Sequence, residues 1–330
     1  MENCFTTIFN QRKRKSILFA LGIAVLYAVY YFKLNSTIPT TLNIQATKTI
    51  APQIPNLSKY VNIIDLHEDT KENFTCIETK YLLHIVKTTI CLHDTRDAVS
   101  NDIKKKKIWE ERLITEVISF LIKYPHMDFI DVGANVGSYT MFAASFGRRV
   151  ISIECFKPNI NRIRKAVQIE NVQDKVVLVG NAIYSESGKT FKMNSDPFNV
   201  GAQAIIEKDT GEYSNDDMYA VTTIRFDEIL PILQDKDIRN AVMKVDIQWA
   251  EIFLCETGKK VFDYVNIPVV LMEWDAVPHA KARMGVVLKF FIERGYVATK
   301  DMCADLNTAD AFNSWPGDIF WVNMNRSQIC

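Results

Sequence analysis

The sequence predicts an α/β fold in which a mostly parallel, seven-stranded sheet is covered by helices on both faces. Three observations carry this reading. Beyond Asp128, short apolar runs alternate with longer segments of helical pattern, the arrangement that builds parallel sheets. The first run, Phe129 to Val132, ends in Gly133-Ala-Asn135-Val-Gly137, just where a helix can begin. The second run closes on an acidic residue, Glu154, 21 positions after Gly133.

Strands are expected at 128–133, 149–154, 175–180, 241–247, 267–273, about 294–300 and 318–324. Before them, the pairs Leu113-Ile114, Val117-Ile118 and Leu121-Ile122 recur every four residues, which gives one apolar face of a helix ending at Pro125. Residues 59–107 read as short strands and loops, with 81–92 the most strand-like part and Lys104 to Lys107 a solvated helix start.

The chain has 330 residues, 48% hydrophobic and 24% charged, enough for one sizeable core with attachments and too apolar for a disordered protein. Lys+Arg and Asp+Glu balance at 39 each, so bulk charge gives no reason to expect nucleic acid as a partner.

The amino terminus speaks to compartment. Gln11-Arg-Lys-Arg-Lys15 precedes an uncharged apolar run from Ser16 to Phe32. At about 1.5 Å per residue the run nearly crosses a bilayer core of roughly 30 Å, and Lys33 and Leu34 complete it. The basic flank places residues 1–15 in the cytosol and the rest across the membrane. A cleaved signal peptide competes with this, although Tyr27, Tyr30 and Tyr31 stand where a small-residue cleavage site would be needed. Residues 35–58, with three prolines and no acidic residue, suit an extended stem. Glycan acceptor triplets begin at Asn35, Asn56, Asn73 and Asn325. Of seven cysteines, Cys4 would be cytosolic, while Cys76 with Cys91 and Cys303 with Cys330 fit an oxidising lumen, their connectivity left open. Cys155 and Cys255 read as buried thiols, because no zinc-ligand spacing surrounds them. His67-Glu-Asp69 offers no metal site either, since consecutive residues of an extended chain point apart.

The glycines and acids together describe a nucleoside ligand. Gly133 removes a side chain at the turn, Gly137 lets the following helix approach the sheet, and Asn135 tolerates a left-handed backbone. Glu154 is placed to accept both hydroxyls of a ribose. Asp131 at the strand end suits a ligand bearing an ammonium group, as S-adenosyl-L-methionine does, and repels a diphosphate.

Asp131-Val-Gly133-Ala-Asn135-Val-Gly137-Ser-Tyr-Thr resembles the first motif of the FkbM-type S-adenosylmethionine-dependent methyltransferases. The resemblance continues through Gly180-Asn181-Ala182, Val221 to Leu230, and Met243-Lys244-Val245-Asp246-Ile247, over about residues 108–325. It implies a Rossmann-like methyltransferase sheet and methyl transfer to a hydroxyl, often on a sugar or polyketide. Asp131, Gly133, Asn135, Gly137 and Glu154 would line the cofactor, with Asn181 and Ala182 near the adenine. Acids at the carboxyl ends of the fourth and fifth strands are the candidates to take the acceptor's proton: Asp246, Glu251, Glu273 and Asp275, with His279 nearby.

One segment departs from the family. Where its members read Lys-Ile-Asp-Val-Glu-Gly-Ala-Glu, this chain reads Lys244-Val-Asp246-Ile-Gln248-Trp249-Ala250-Glu251. Gln248 can hydrogen-bond but cannot act as a base. Trp249 either fills the acceptor pocket or offers a flat face to a sugar, so Trp249, Gln248 and His279 are the candidate substrate pocket. The expected organisation is a cytosolic tail (1–15), a signal-anchor (16–34), a stem (35–58), an extension (59–107) and the methyltransferase domain (108–330). The expected activity is O-methylation of a glycan or glycoconjugate in the lumen of the Golgi or endoplasmic reticulum. A fold retained for cargo binding or trafficking, as in the insect Star-like proteins, is the alternative.

Overall fold

The computed structural model describes residues 54–70, 72–94, 97–194, 200, 203–210, 213, 217–275 and 280–329. The expected signal-anchor at 16–34, the acceptor Asn35, and Cys4, Cys330 and His279 lie outside these residues. Among the described residues no helix is long and apolar enough to cross a membrane.

The described chain opens with a hairpin, β1 (Thr75–Glu78) against β2 (Thr89–Leu92), in which Cys76 faces Cys91 and is disulfide-bonded to it. Cys303 is disulfide-bonded as well, whereas Cys155 and Cys255 are free thiols, the latter buried. Only the end of the expected strand 81–92 is extended. Leu83 and His84 sit at positive φ in a tight turn, and the ladder begins at Thr89.

Helix α1 (Ala98–Lys106) is capped by the Asp97 carboxylate, which accepts from Ser100 N at 2.7 Å. The basic run expected at a helix start therefore lies at a helix end. Lys104, Lys105 and Lys106 occupy the last turn, where the negative pole of the helix dipole favours cations. Helix α2 (Glu111–Lys123) buries Leu113, Ile114, Val117, Ile118 and Leu121, the face expected from the four-residue spacing, and stops just ahead of Pro125.

The main sheet follows: β3 (Asp128–Val132), β4 (Val150–Ile153) and β5 (Val176–Val179), with α3 (Ser138–Ser145) and α4 (Lys157–Glu170) as crossovers. A four-stranded sheet comes next, built from β6 (Ala182–Ile183), β7 (Thr190–Met193), β8 (Ile205–Thr210) and β9 (Ala220–Ile224) in the order β6-β9-β7-β8. The chain returns through α5 (Leu230–Asp235) to β10 (Ala241–Val245), α6 (Glu251–Thr257), α7 (Lys259–Tyr264), β11 (Val269–Glu273), α8 (Lys281–Glu293), β12 (Val297–Thr299) and β13 (Asp318–Val322).

All seven expected strands form one sheet in the order β12-β13-β11-β10-β3-β4-β5, with only β13 antiparallel to its neighbours. Alternate strand residues feed two cores. Phe129, Val150, Leu178 and Phe320 pack with α1 to α4 on one face. Ile130, Ile151, Met243 and Trp321 pack with α5 to α8 on the other. The fold is thus mixed α/β with helices on both faces, consistent with a Rossmann-like methyltransferase sheet. The extension 59–107 shares the first of these cores through Leu82, Ile90 and Ile103. Its segment near Asn62 lies along the β5 edge, where Ile64 N donates to Leu178 O and Gly180 N to Asn62 O. That covers an edge that would otherwise present unpaired backbone.

Candidate active site

A cavity of about 270 Å³ opens at the carboxyl ends of β3, β4, β10 and β11, the place where open α/β sheets bind ligands. Its floor is the turn after β3. Gly133 adopts φ +82°, and a Cβ there would lie 1.8 Å from Asp246 O, so only glycine lets the ends of β3 and β10 come together. Asn135 takes φ +53° and lines the cavity. Its N–H donates to Glu154 Oε2 at 2.7 Å, while Phe156 N donates to Oε1 at 2.8 Å. Glu154 is thereby locked at the cavity wall with lone pairs remaining for a vicinal diol. Burial raises its pKa to about 7 against those two N–H groups and the nearby Lys244.

Two residues expected at the cofactor lie outside the lining. Asp131 is fully buried within β3, and its Oδ2 accepts from Thr140 N at 3.0 Å and Thr140 Oγ1 at 2.6 Å, so it anchors α3. Gly137, at φ +86°, would place a Cβ 3.0 Å from Ile163 Cγ1, so its small size serves the approach of α4 rather than of the sheet. Asn181 and Ala182 do line the cavity. The Asn181 side chain, however, is committed elsewhere: Nδ2 donates to Tyr60 O and Thr222 O, and Oδ1 accepts from Asn62 N.

The opposite wall carries the acids. Buried Lys244 donates to Asp246 Oδ2 at 3.1 Å and to Gly133 O at 2.8 Å, with its ammonium 5.5 Å from the Tyr139 ring centre. Tyr139 in turn donates to Glu110 Oε2 at 2.7 Å. Gln248 Nε2 bridges two carboxyls, reaching Asp246 Oδ1 at 3.2 Å and Glu273 Oε2 at 3.0 Å. Burial alone would raise the Asp246 pKa, but the charge and hydrogen bond of Lys244, with bonds from Glu273 and Gln248, hold it below the usual carboxylate value. Glu273 goes the other way, to about 9, through burial and the charges of Asp246 and Glu251. The pair therefore holds on to one proton near neutral pH, and Lys244 favours the charge on the Asp246 side.

Glu251 stands apart from the cavity. Its Oε1 accepts from Ile247 N at 3.0 Å and closes the turn into α6, and burial raises its pKa to about 7. Trp249 lines the cavity and donates from Nε1 to Asp275 Oδ2 at 3.0 Å. Gln248 and Trp249 both sit in the left-handed region, at φ +51° and +68°. That explains the family's glycine at the second position and marks the tryptophan as strained.

A family model described as "Methyltransferase FkbM domain" matches residues 131–298. The chain belongs to the FkbM methyltransferase family. Its cofactor is S-adenosyl-L-methionine, and the Glu154 carboxylate, the glycine turn and the apolar wall at Ala182 and Ile183 fit an adenosyl group. No curated protein matches the chain. Among solved structures, the FkbM chain is similar to the O-methyltransferase from Bacillus cereus in complex with SAH, at 11% identity over 69% of this chain and 98% of that one, with a TM-score of 0.35. It is also similar to precorrin-6y C5,15-methyltransferase from Geobacter metallireducens, at 12% identity over 69% and 93% with a TM-score of 0.32. A third is a putative RNA methyltransferase from Pyrococcus horikoshii, at 14% identity over 58% and 72% with a TM-score of 0.32.

Several lining residues went unread in the sequence. Glu110, Tyr139, Tyr184, Gln203, Phe253 and Arg283 all face the cavity. The Lys244 ammonium carried a signal, as a lone charge inside the buried run Ala-Val-Met-Lys-Val. Gln203 carried none, because it lies between short strands.

Proposed function

We propose that this chain transfers a methyl group to a hydroxyl of a glycan or glycoconjugate, as a single-pass type II membrane protein held through residues 16–34 with its catalytic domain in the lumen of the Golgi or endoplasmic reticulum. The observation that carries hydroxyl methylation is the Lys244–Asp246–Gln248–Glu273 constellation, which keeps one carboxylate ionised at a wall of the cavity that also holds Glu154. When bound, the cofactor supplies an electrophilic methyl on a sulfonium.

Asp246 then orients the acceptor hydroxyl and takes its proton as the new C–O bond forms. Lys244 keeps Asp246 ionised, and Gln248 fixes the spacing of the two carboxyls. Trp249 and Phe253 provide flat apolar faces in the same lining, and Arg283 stands 5.5 Å from the Phe253 ring centre, a set suited to a sugar with polar edges. The secretory setting is supported by the basic flank before Ser16 and by the Cys76–Cys91 disulfide, a bond favoured in oxidising compartments.

The strained Trp249 favours a second reading, a retired enzyme kept for cargo binding or trafficking, as in the Star-like proteins. One experiment separates the two. Full-length protein in detergent is given methyl-labelled cofactor and glycan, glycolipid and glycoprotein pools from the same cells. The enzyme reading expects transfer, and Asp246→Asn should lower the rate about a hundredfold to ten-thousandfold while cofactor affinity stays. Tight cofactor binding with no transfer to any pool would favour the trafficking reading.

A further inference from the structure

The side chain of Gln203 is nine-tenths buried, at 8% exposure, and both its Nε2 and its Oε1 lack a hydrogen-bond partner while the residue lines the cavity. A buried donor and acceptor left unmade on one amide are costly, which points to a ligand that supplies both. The neighbours say what kind. Met193 and Ile205 pack with Ala182, Cys155 and Phe156 in a small apolar cluster beside Glu154. An apolar slot beside an amide whose donor and acceptor are both unmade is the chemistry of a purine, whose faces are apolar and whose rim alternates acceptor and donor nitrogens.

We infer that Gln203 reads the adenine of the methyl donor, its amide pairing with the 6-amino group and an adjacent ring nitrogen. The inference rests on the cofactor reading above. Asn181, at the position where the family resemblance puts the adenine, cannot supply the donor, because both Nδ2 hydrogens are on Tyr60 O and Thr222 O. The polar groups of the opposite wall, Asp246, Gln248 and Glu273, are bonded to one another. Glu154 follows β4, whereas that wall follows β10 and β11, on the other side of β3. Gln203 therefore belongs to the adenosyl half of the cavity rather than to the acceptor half.

The test is calorimetry on the full-length protein with S-adenosylhomocysteine and with its counterpart carrying unsubstituted purine in place of adenine. Wild type should prefer the adenine compound about tenfold, the value of one good hydrogen bond. Gln203→Leu should bind the adenine compound about tenfold more weakly and lose the preference. Because the change also removes two unpaired buried polar atoms, the ligand-free variant should melt no lower than wild type. Gln203→Met, of similar length, serves if the leucine variant fails to fold. A preference that persists in the variant, or equal binding of both compounds by wild type, overturns the assignment. Failure of folded wild type to bind either compound would instead remove the cofactor reading, and this inference with it.

Discussion

At the scale of single residues, the site is defined by carboxyls pushed in opposite directions. Burial raises Glu154 and Glu251 to about 7, and burial with the Asp246 charge raises Glu273 to about 9. All three exceed the unfolded value of about 4.3. Between that value and the folded ones, the native state binds more protons than the unfolded chain, so stability falls as pH rises. Urea midpoints should therefore decline from pH 5 to pH 9, and Glu273→Gln, whose amide can still donate to Asp246, should flatten the upper part of that decline. An unchanged slope between pH 7 and 9 would mean Glu273 is ionised in the native protein. The sequence made the place of Asp246 and Glu273 at the cavity legible, because the one follows and the other ends a strand of the parallel run. It did not foretell the opposed pull on the two carboxyls, which follows from their burial and from the charges of Lys244 and Asp246 beside them. For Asp131 the strand-end argument misled. The side chain of a strand residue points to one face, and here it was the α3 side rather than the cavity.

At the scale of elements, the seven strands and α2 were legible because burial on both faces leaves near-continuous apolar runs and burial on one leaves a 3.6 period. The second sheet was not, since β6 has two residues and β7 four, too few to show a period, and residues 194–204 separate β7 from β8 in the chain. The loop from β10 to α6 is the element that sets this chain apart. Holding a tryptophan at φ +68° costs about 1–2 kcal/mol that glycine avoids. Trp249→Gly removes that strain and also the ring, its bond to Asp275 and part of its packing, so the two effects oppose. Stability in urea should change by less than about 1 kcal/mol, well short of the roughly 3–5 kcal/mol lost when a core aromatic is truncated. Affinity for S-adenosylhomocysteine should stay within about twofold, whereas acceptor use should change. A loss above about 3 kcal/mol would make Trp249 a core anchor instead of a pocket wall.

At the scale of the whole molecule, the catalytic sheet is fastened by what precedes it. The Cys76–Cys91 bond closes a loop of sequence separation 15, worth about 3 kcal/mol in chain entropy, over a hairpin whose β2 packs against α4. Replacing both cysteines with serine should lower unfolding free energy by about that amount, and reductant should lower wild type by about that much more than the variant, which keeps the disulfide of Cys303. The same region bears on topology. Asn56, Asn73 and Asn325 are all exposed, and each begins an acceptor triplet, so the surface is open to a glycan-transferring enzyme at three separate places. If residues 16–34 anchor the chain with the sheet in the lumen, protein from cells should gain gel mobility on glycosidase treatment. Combined glutamine substitution at Asn35, Asn56, Asn73 and Asn325 should abolish that gain. Protease added to intact microsomes should then trim only the first 15 residues or so, because everything after the anchor is shielded by the bilayer. Digestion of the sheet domain under those conditions would place it in the cytosol and remove the glycan as a natural acceptor, leaving the methyltransferase site to act on a cytosolic hydroxyl.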